Sequence, residues 1–209
     1  IKRDGDPWKT SFKDVYNIDC PITLSKQNSF GLTHKQIAIE SLKNNGLNKK
    51  EILEKINLFF ERLEYFYEKS LDNGYATPFP GIYKLLVKLS KKEYLLGLVT
   101  GNTEKIAFLK LKKAGIDKFF SIGGFGDASK DRKELVKIAI KKAKKYKIKK
   151  EDLFVIGDTP NDIIAGKHSG IATIGVSTGI YSKEKLSEAG ADFTLDNLEN
   201  INELMKIIE

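Results

Sequence analysis

Three short stretches of this sequence hold residue types whose spacing could do chemistry. In Val99-Thr100-Gly101-Asn102-Thr103 a hydroxyl, a glycine and an amide follow an apolar run and precede a helical one. The first amides of a helix are unpaired and a glycine lets an anion approach the backbone, so the stretch suits a phosphate or carboxylate. The same residues would equally make a tight turn in which Asn102 or Thr103 caps the helix. In Ile156-Gly157-Asp158-Thr159-Pro160-Asn161-Asp162, two carboxylates stand four residues apart just beyond another apolar run. Two hard oxygen donors with an open side are what Mg²⁺ takes when it keeps waters and also binds a substrate phosphate. The plainer alternative is a helix cap at Asp158 or Asn161, with Asp162 favouring the helix dipole. Between these stretches, Gly123-Gly124-Phe125-Gly126-Asp127 reads as a flexible loop, and Ser129-Lys130-Asp131-Arg132-Lys133 opens a helix. Arg132 and Lys133 are both candidates to neutralise an anion in a shared cleft.

The elements that must position these residues follow from hydrophobic periodicity. From about residue 78 onward, short β-branched runs alternate with helical segments. Strands are expected at 94–100, 119–122, 153–157, 171–176 and 192–195, with helices at 79–90, 103–114, 132–146, 162–169, 183–188 and 200–208. Strands joined by helical crossovers give an α/β fold with a parallel sheet flanked by helices, and such sheets place ligands beyond the carboxyl ends of their strands. All three stretches begin there. Residues 11–77 have a different texture, with apolar positions three and four apart: Ile37, Ile39 and Leu42, then Ile52, Ile56, Phe59, Phe60, Leu63, Phe66 and Tyr67. That pattern predicts a small all-helical domain, its long helix starting near Asn48. The expected organisation is a lead-in over 1–10, a helical domain over 11–77 and an α/β core over 78–209.

Composition narrows the function classes. The chain has 209 residues, of which 41% are hydrophobic and 31% charged, so a packed core can form and a disordered or collagenous chain is excluded. No apolar run approaches the length of a membrane span. A single cysteine, Cys20, and no basic-then-apolar leader point to a reducing cytoplasm. The net charge of +8 is almost all lysine, since only Arg3, Arg62 and Arg132 among the 36 basic residues are arginine. The densest lysine run, 137–150, reads as the solvated side of a helix, and no aromatics interleave with it as nucleic-acid stacking would require. Neither nucleic acid nor membrane is expected as a partner. Cys20, Trp8 and His168 are expected to be structural, and His34 to be a solvated histidine near a helix start.

Thr100-Gly101-Asn102, the basic residue opening the helix at 132, and Gly157-Asp158-Thr159-Pro160-Asn161-Asp162 resemble, in order and spacing, the second, third and fourth motifs of the haloacid dehalogenase-like hydrolase superfamily. The helical region falls where that superfamily places an α-helical cap, so the resemblance covers essentially the whole chain. It implies a Rossmann-like core and Mg²⁺-dependent hydrolysis of a small phosphorylated metabolite, with phosphoglycolate or a sugar phosphate as the default substrate. It also implies an aspartate nucleophile that forms an aspartyl-phosphate, with a second aspartate two residues on as general acid/base. Thr100 would then hydrogen-bond the phosphate together with the amides of Gly101 and Asn102. Arg132 would stand in for the family's usual lysine, with Lys133 as the other candidate, Asp158 would bind Mg²⁺ directly, and Asp162 would bind or orient it. Two acidic residues in the fourth motif favour a phosphatase over a haloacid dehalogenase. The Asp-x-Asp-Gly-Thr motif of the family's first, central strand is not in the sequence. Asp4-Gly5-Asp6 has its spacing but neither the preceding apolar strand nor the Gly-Thr, and reads as a turn. The expectation is that the nucleophile strand lies upstream of Ile1, leaving the chain inactive without it. The alternative is a truncated or degenerate homologue that binds without catalysing.

Overall fold

Helical and strand-bearing residues separate along the chain in a computed structural model that describes residues 6–20, 31–70 and 77–209. Among its described residues the first part holds three helices, α1 (Pro7–Tyr16), α2 (His34–Asn44) and α3 (Lys49–Ser70). Each starts on a side-chain cap. The Asp6 carboxylate accepts from Trp8 N, the Thr33 hydroxyl from Gln36 N, and Asn48 Oδ1 from Lys50 N and Glu51 N while Glu51 accepts in return from Asn48 N. The stripes read from the sequence meet in one cluster: Phe12, Leu42, Ile52, Phe59 and Leu63 are fully buried, and the Phe12 and Phe59 rings stack with centroids 4.7 Å apart. Trp8 belongs to this cluster, so the helical domain begins at Pro7 within the expected lead-in. Ile106, from a helix of the α/β part, completes it and ties the two parts together.

The second part alternates as expected: α4 (Ile82–Lys91), β1 (Gly97–Thr100), α5 (Glu104–Lys113), β2 (Ile122–Phe125), α6 (Arg132–Ala143), β3 (Phe154–Gly157), α7 (Pro160–His168), β4 (Ala172–Val176), α8 (Lys183–Glu188), β5 (Phe193–Leu195) and α9 (Ile201–Ile208). All strand pairs are parallel, and helices cover both faces. On one face, Leu85 and Leu89 of α4 and Leu204 and Met205 of α9 pack on Ile174, Val176 and Leu195. On the other, Val136 of α6 and Ala165 of α7 pack with Val99 and Val155. The fold is α/β with a helical cap.

Two expectations need correction. The second strand lies three residues later than expected, because residues 117–119 form a single 3₁₀ turn and the glycines read as a loop lie in β2 itself. A Cβ at Gly124 would overlap the Leu135 carbonyl oxygen, so the glycine is there to let α6 lie against the strand. The helix after β3 starts at Pro160 rather than Asp162, with Thr159 as its cap.

The strands do not form one sheet. Among the described residues β1 pairs only with β2, and β3 with β4 and β4 with β5, leaving two half-sheets. An apolar groove of about 110 Å³ runs between them, lined by Val99 of β1, Phe154 and Val155 of β3, and Val136 and Ile140 of α6. Gly97 of β1 and Ile156 of β3 are exposed.

Candidate active site

Both half-sheets end at one mouth. Arg132, which follows β2, reaches across to Asp162, which follows β3, and donates from Nε to its Oδ1 at 2.6 Å. The two side chains are only 16% and 8% exposed, a buried ion pair whose separation would leave an uncompensated charge. The other carboxylate oxygen of Asp162 accepts from the hydroxyl of Thr159 at 2.7 Å and from its backbone N–H at 3.2 Å, closing a capping box at the start of α7. The carboxylate and the strand lie so close that a Cβ at Gly157 would overlap the Asp162 side chain.

Asp158 differs from its neighbour. Burial, and then the charge of Asp162, raises its pKa above the ordinary aspartate value, against the opposing pull of its own backbone hydrogen bond and of Arg132. No ion pair among the described residues uses it. The loop after β4 approaches it at Gly179, where a Cβ would come within 2.5 Å of Asp158 Oδ2. A divalent cation would relieve the electrostatic cost that raises this pKa, so Asp158 fits a hard-cation ligand. Asp162 is already engaged, its Oδ1 by Arg132 and its Oδ2 by Thr159, and Oδ1 keeps a second lone pair. Among the described residues no three His, Cys, Asp or Glu side chains gather as a metal cluster.

At the end of β1, Thr100 Oγ1 accepts from the side-chain amide of Asn102 at 2.8 Å and from its backbone N–H at 3.2 Å. The Asn102 backbone amide is thus directed at Thr100, where the sequence had suggested a phosphate contact. Gly101 is buried beneath the cap: a Cβ there would overlap the Leu32 carbonyl oxygen, and the Gly101 carbonyl accepts from His34 N at 2.7 Å. The cap also docks through Lys35 N to the Gly126 carbonyl at 3.1 Å.

His34 is not the solvated residue expected. The edge of its ring packs against Trp8, centroids 5.0 Å apart, and its Nδ1 accepts from Thr103 N at 3.4 Å. Burial, reinforced by the nearby Lys110 charge, pushes its pKa down to about 3. Beside Arg132, a cleft of about 370 Å³ opens between cap and core, with Gln36 and Glu40 on the cap side and Lys130, Lys133 and Asn161 on the core side. Lys133 and Arg132 both line this cleft, and Arg132 also pairs with the Asp162 carboxylate. Asp4 and Gly5, of the Asp4-Gly5-Asp6 stretch, lie outside the described residues.

Comparison with known proteins places the chain. Residues 9–176 match the haloacid dehalogenase-like hydrolases. The chain belongs to that family. A phosphoglycolate phosphatase of Vibrio parahaemolyticus serotype O3:K6 is 28% identical over 147 residues, 70% of this chain and 64% of that protein. The pyrophosphatase PpaX of Listeria monocytogenes serotype 4a is 30% identical over 126 residues, covering 59% and 57%. The chain thus spans somewhat less than two thirds of the length of these curated relatives. Among solved structures, a hydrolase from Pseudomonas syringae superposes with a TM-score of 0.67 at 21% identity, covering 97% of this chain and 90% of that one, and shares the fold. No helix among the described residues is long and apolar enough to cross a membrane.

Proposed function

We propose that this chain is the cap and the greater part of the core of a Mg²⁺-dependent phosphomonoester hydrolase. In this reading a further strand, upstream of residue 1, fills the groove between β1 and β3 and pairs with both. It brings a nucleophilic aspartate to the mouth between Thr100 and Asp158, and two residues on a second aspartate as general acid/base. The nucleophile attacks phosphorus, the alcohol departs with a proton from the general acid, and water then cleaves the aspartyl-phosphate. Mg²⁺, held by Asp158, would supply positive charge at the phosphoryl oxygens.

The other roles fall to side chains of this chain. Thr100 donates its hydroxyl proton to a phosphoryl oxygen. Arg132, oriented through Nε by Asp162, offers its terminal nitrogens to the same group. Lys133 and Lys130 face the cleft that would take the rest of a small phosphorylated metabolite, and the cap seated on Gly101 and Gly126 keeps water out. Phosphoglycolate is the first candidate substrate, because the relative from Vibrio parahaemolyticus is named a phosphoglycolate phosphatase.

The observation that supports this reading is the Arg132–Asp162 ion pair, which bridges the ends of two half-sheets beside Asp158 and above an apolar groove wide enough to suggest a further strand. The divided sheet also favours a second reading for the chain alone, binding of phosphate without turnover. The test is hydrolysis of p-nitrophenyl phosphate and phosphoglycolate by the protein carrying its upstream segment, with and without Mg²⁺. Metal-dependent turnover is expected, and Asp158→Asn should abolish it with the fold intact. Undiminished turnover in that variant would sink the metal assignment, and absence of turnover in the extended protein would leave the binding-only reading.

A further inference from the structure

Lys110 lies on α5, away from the three sequence motifs, yet its ammonium group is within hydrogen-bond distance of one of them. Nζ donates to Asn102 Oδ1 at 2.7 Å. It also lies 5.3 Å from the ring centroid of Tyr67, which belongs to cap helix α3. No ion pair among the described residues uses it. This cation therefore bridges a cap aromatic face and the loop after β1.

The hydrogen bonds beyond it have a definite direction. An ammonium only donates, so Asn102 must turn its carbonyl oxygen to Lys110 and its NH₂ the other way. The NH₂ then meets Thr100 Oγ1 at 2.8 Å, and the Asn102 backbone N–H reaches the same oxygen at 3.2 Å. A threonine hydroxyl has two acceptor lone pairs and one proton. With both lone pairs occupied, the proton must be donated elsewhere. An inverted Asn102 amide would set NH₂ against the ammonium and present a carbonyl to Thr100, which would then turn its proton inward.

We propose that Lys110 is a positioning residue that keeps Thr100 an outward proton donor to a bound phosphate, and that Tyr67 makes this setting depend on the seated cap. The proposal rests on the reading of Thr100 as an anion ligand. The cation acts through the side-chain amide of Asn102, a residue also held by its main chain: its backbone carbonyl oxygen accepts from Gly126 N at 2.7 Å.

Inorganic phosphate is the probe, titrated into the chain by calorimetry while the side-chain amide resonances of Asn102 are followed by NMR. Lys110→Met should weaken phosphate binding about tenfold, the scale of one hydrogen bond to a charged group, and should shift the Asn102 amide signals without moving the thermal midpoint. Lys110→Arg should restore both. Tyr67→Leu should weaken binding about threefold and Tyr67→Phe not at all, since the ring face is what the cation meets. In an Asn102→Ala background, Lys110→Met should cost nothing further; an undiminished loss there would show a cation acting directly on the anion and would overturn the relay. Full affinity and unmoved Asn102 signals in Lys110→Met would overturn it too, while leaving Thr100 as an anion ligand. If the unmodified chain binds no phosphate, the anion reading of Thr100 fails and takes this proposal with it.

Discussion

The cap and the sheet bury their apolar residues in opposite ways. In the cap, Phe12, Leu42, Ile52, Phe59 and Leu63 are sealed by three helices and by Ile106 from below. In the core, β1 and β3 each lack a partner among the described residues on the side of the groove, and Ile156 stays 40% exposed in a strand whose neighbours Phe154 and Val155 pack. A helical cluster satisfies its backbone internally, whereas a sheet is complete only when each inner edge is paired. The candidate site stands at the end of that groove.

The largest expected effect tests the sealed half. Phe59→Ala removes a ring in contact with Trp8, Phe12, Tyr16 and Phe60 and should cost about 3–5 kcal/mol in urea unfolding. If the cap carries its own core, phosphate binding at Thr100 should fall only as far as the cap unseats. A loss below about 1 kcal/mol would mean that the cap is held mainly by its docking on the sheet.

A middle-sized effect sits at the seam. His34 has a pKa of about 3 when folded against 6.5 for a free histidine, so between these values the unfolded chain binds the extra proton. Stability therefore is fully present above about pH 6.5 and falls as the pH drops, by about 2 kcal/mol between pH 7 and pH 5. His34→Asn, which keeps an acceptor for Thr103 N without titrating in this range, should flatten that slope. Equal slopes in both proteins would place His34 in solvent and loosen the seam between cap and core.

The same contrast explains what could be read from sequence. The cap helices were legible because 3.6-residue periodicity is a local signal, as was the Asn48 start, which forms with Glu51 the reciprocal box expected of such a pair. The parallel pairing of the strands was legible from the alternation of strands and helices. Thr100, Arg132, Asp158 and Asp162 were singled out because they stand at or near strand ends and helix starts, where the structure also places them. Other features depend on contacts that no local pattern carries. Gly123 and Gly124 look like a loop until α6 is seen to lie on them. His34 looks solvated until Trp8 closes over it from a segment read as lead-in. The Arg132–Asp162 ion pair joins residues thirty positions apart, a contact no local pattern announces. Lys110 falls two helical turns after the Thr103 cap, but in a chain so rich in lysine nothing in its type or spacing singles it out.

The smallest effect in this chain is the most informative about the groove. Ile156→Thr keeps a β-branched side chain in β3 and removes apolar surface that is already 40% in water. In the chain as it stands the change should be worth no more than about 0.5 kcal/mol. A strand paired along β3 would remove that side chain from water, and the buried hydroxyl and lost methylene would then cost about 1–3 kcal/mol. Measuring the same substitution in the chain alone and in the protein with its upstream segment therefore reads the filling of the groove without relying on turnover. A penalty that grows on extension identifies β3 as an inner strand of a continuous sheet, completed beside Asp158. Equal small penalties would leave β3 an edge in both proteins, and the aspartate required by the hydrolase reading would have to reach the mouth by another path.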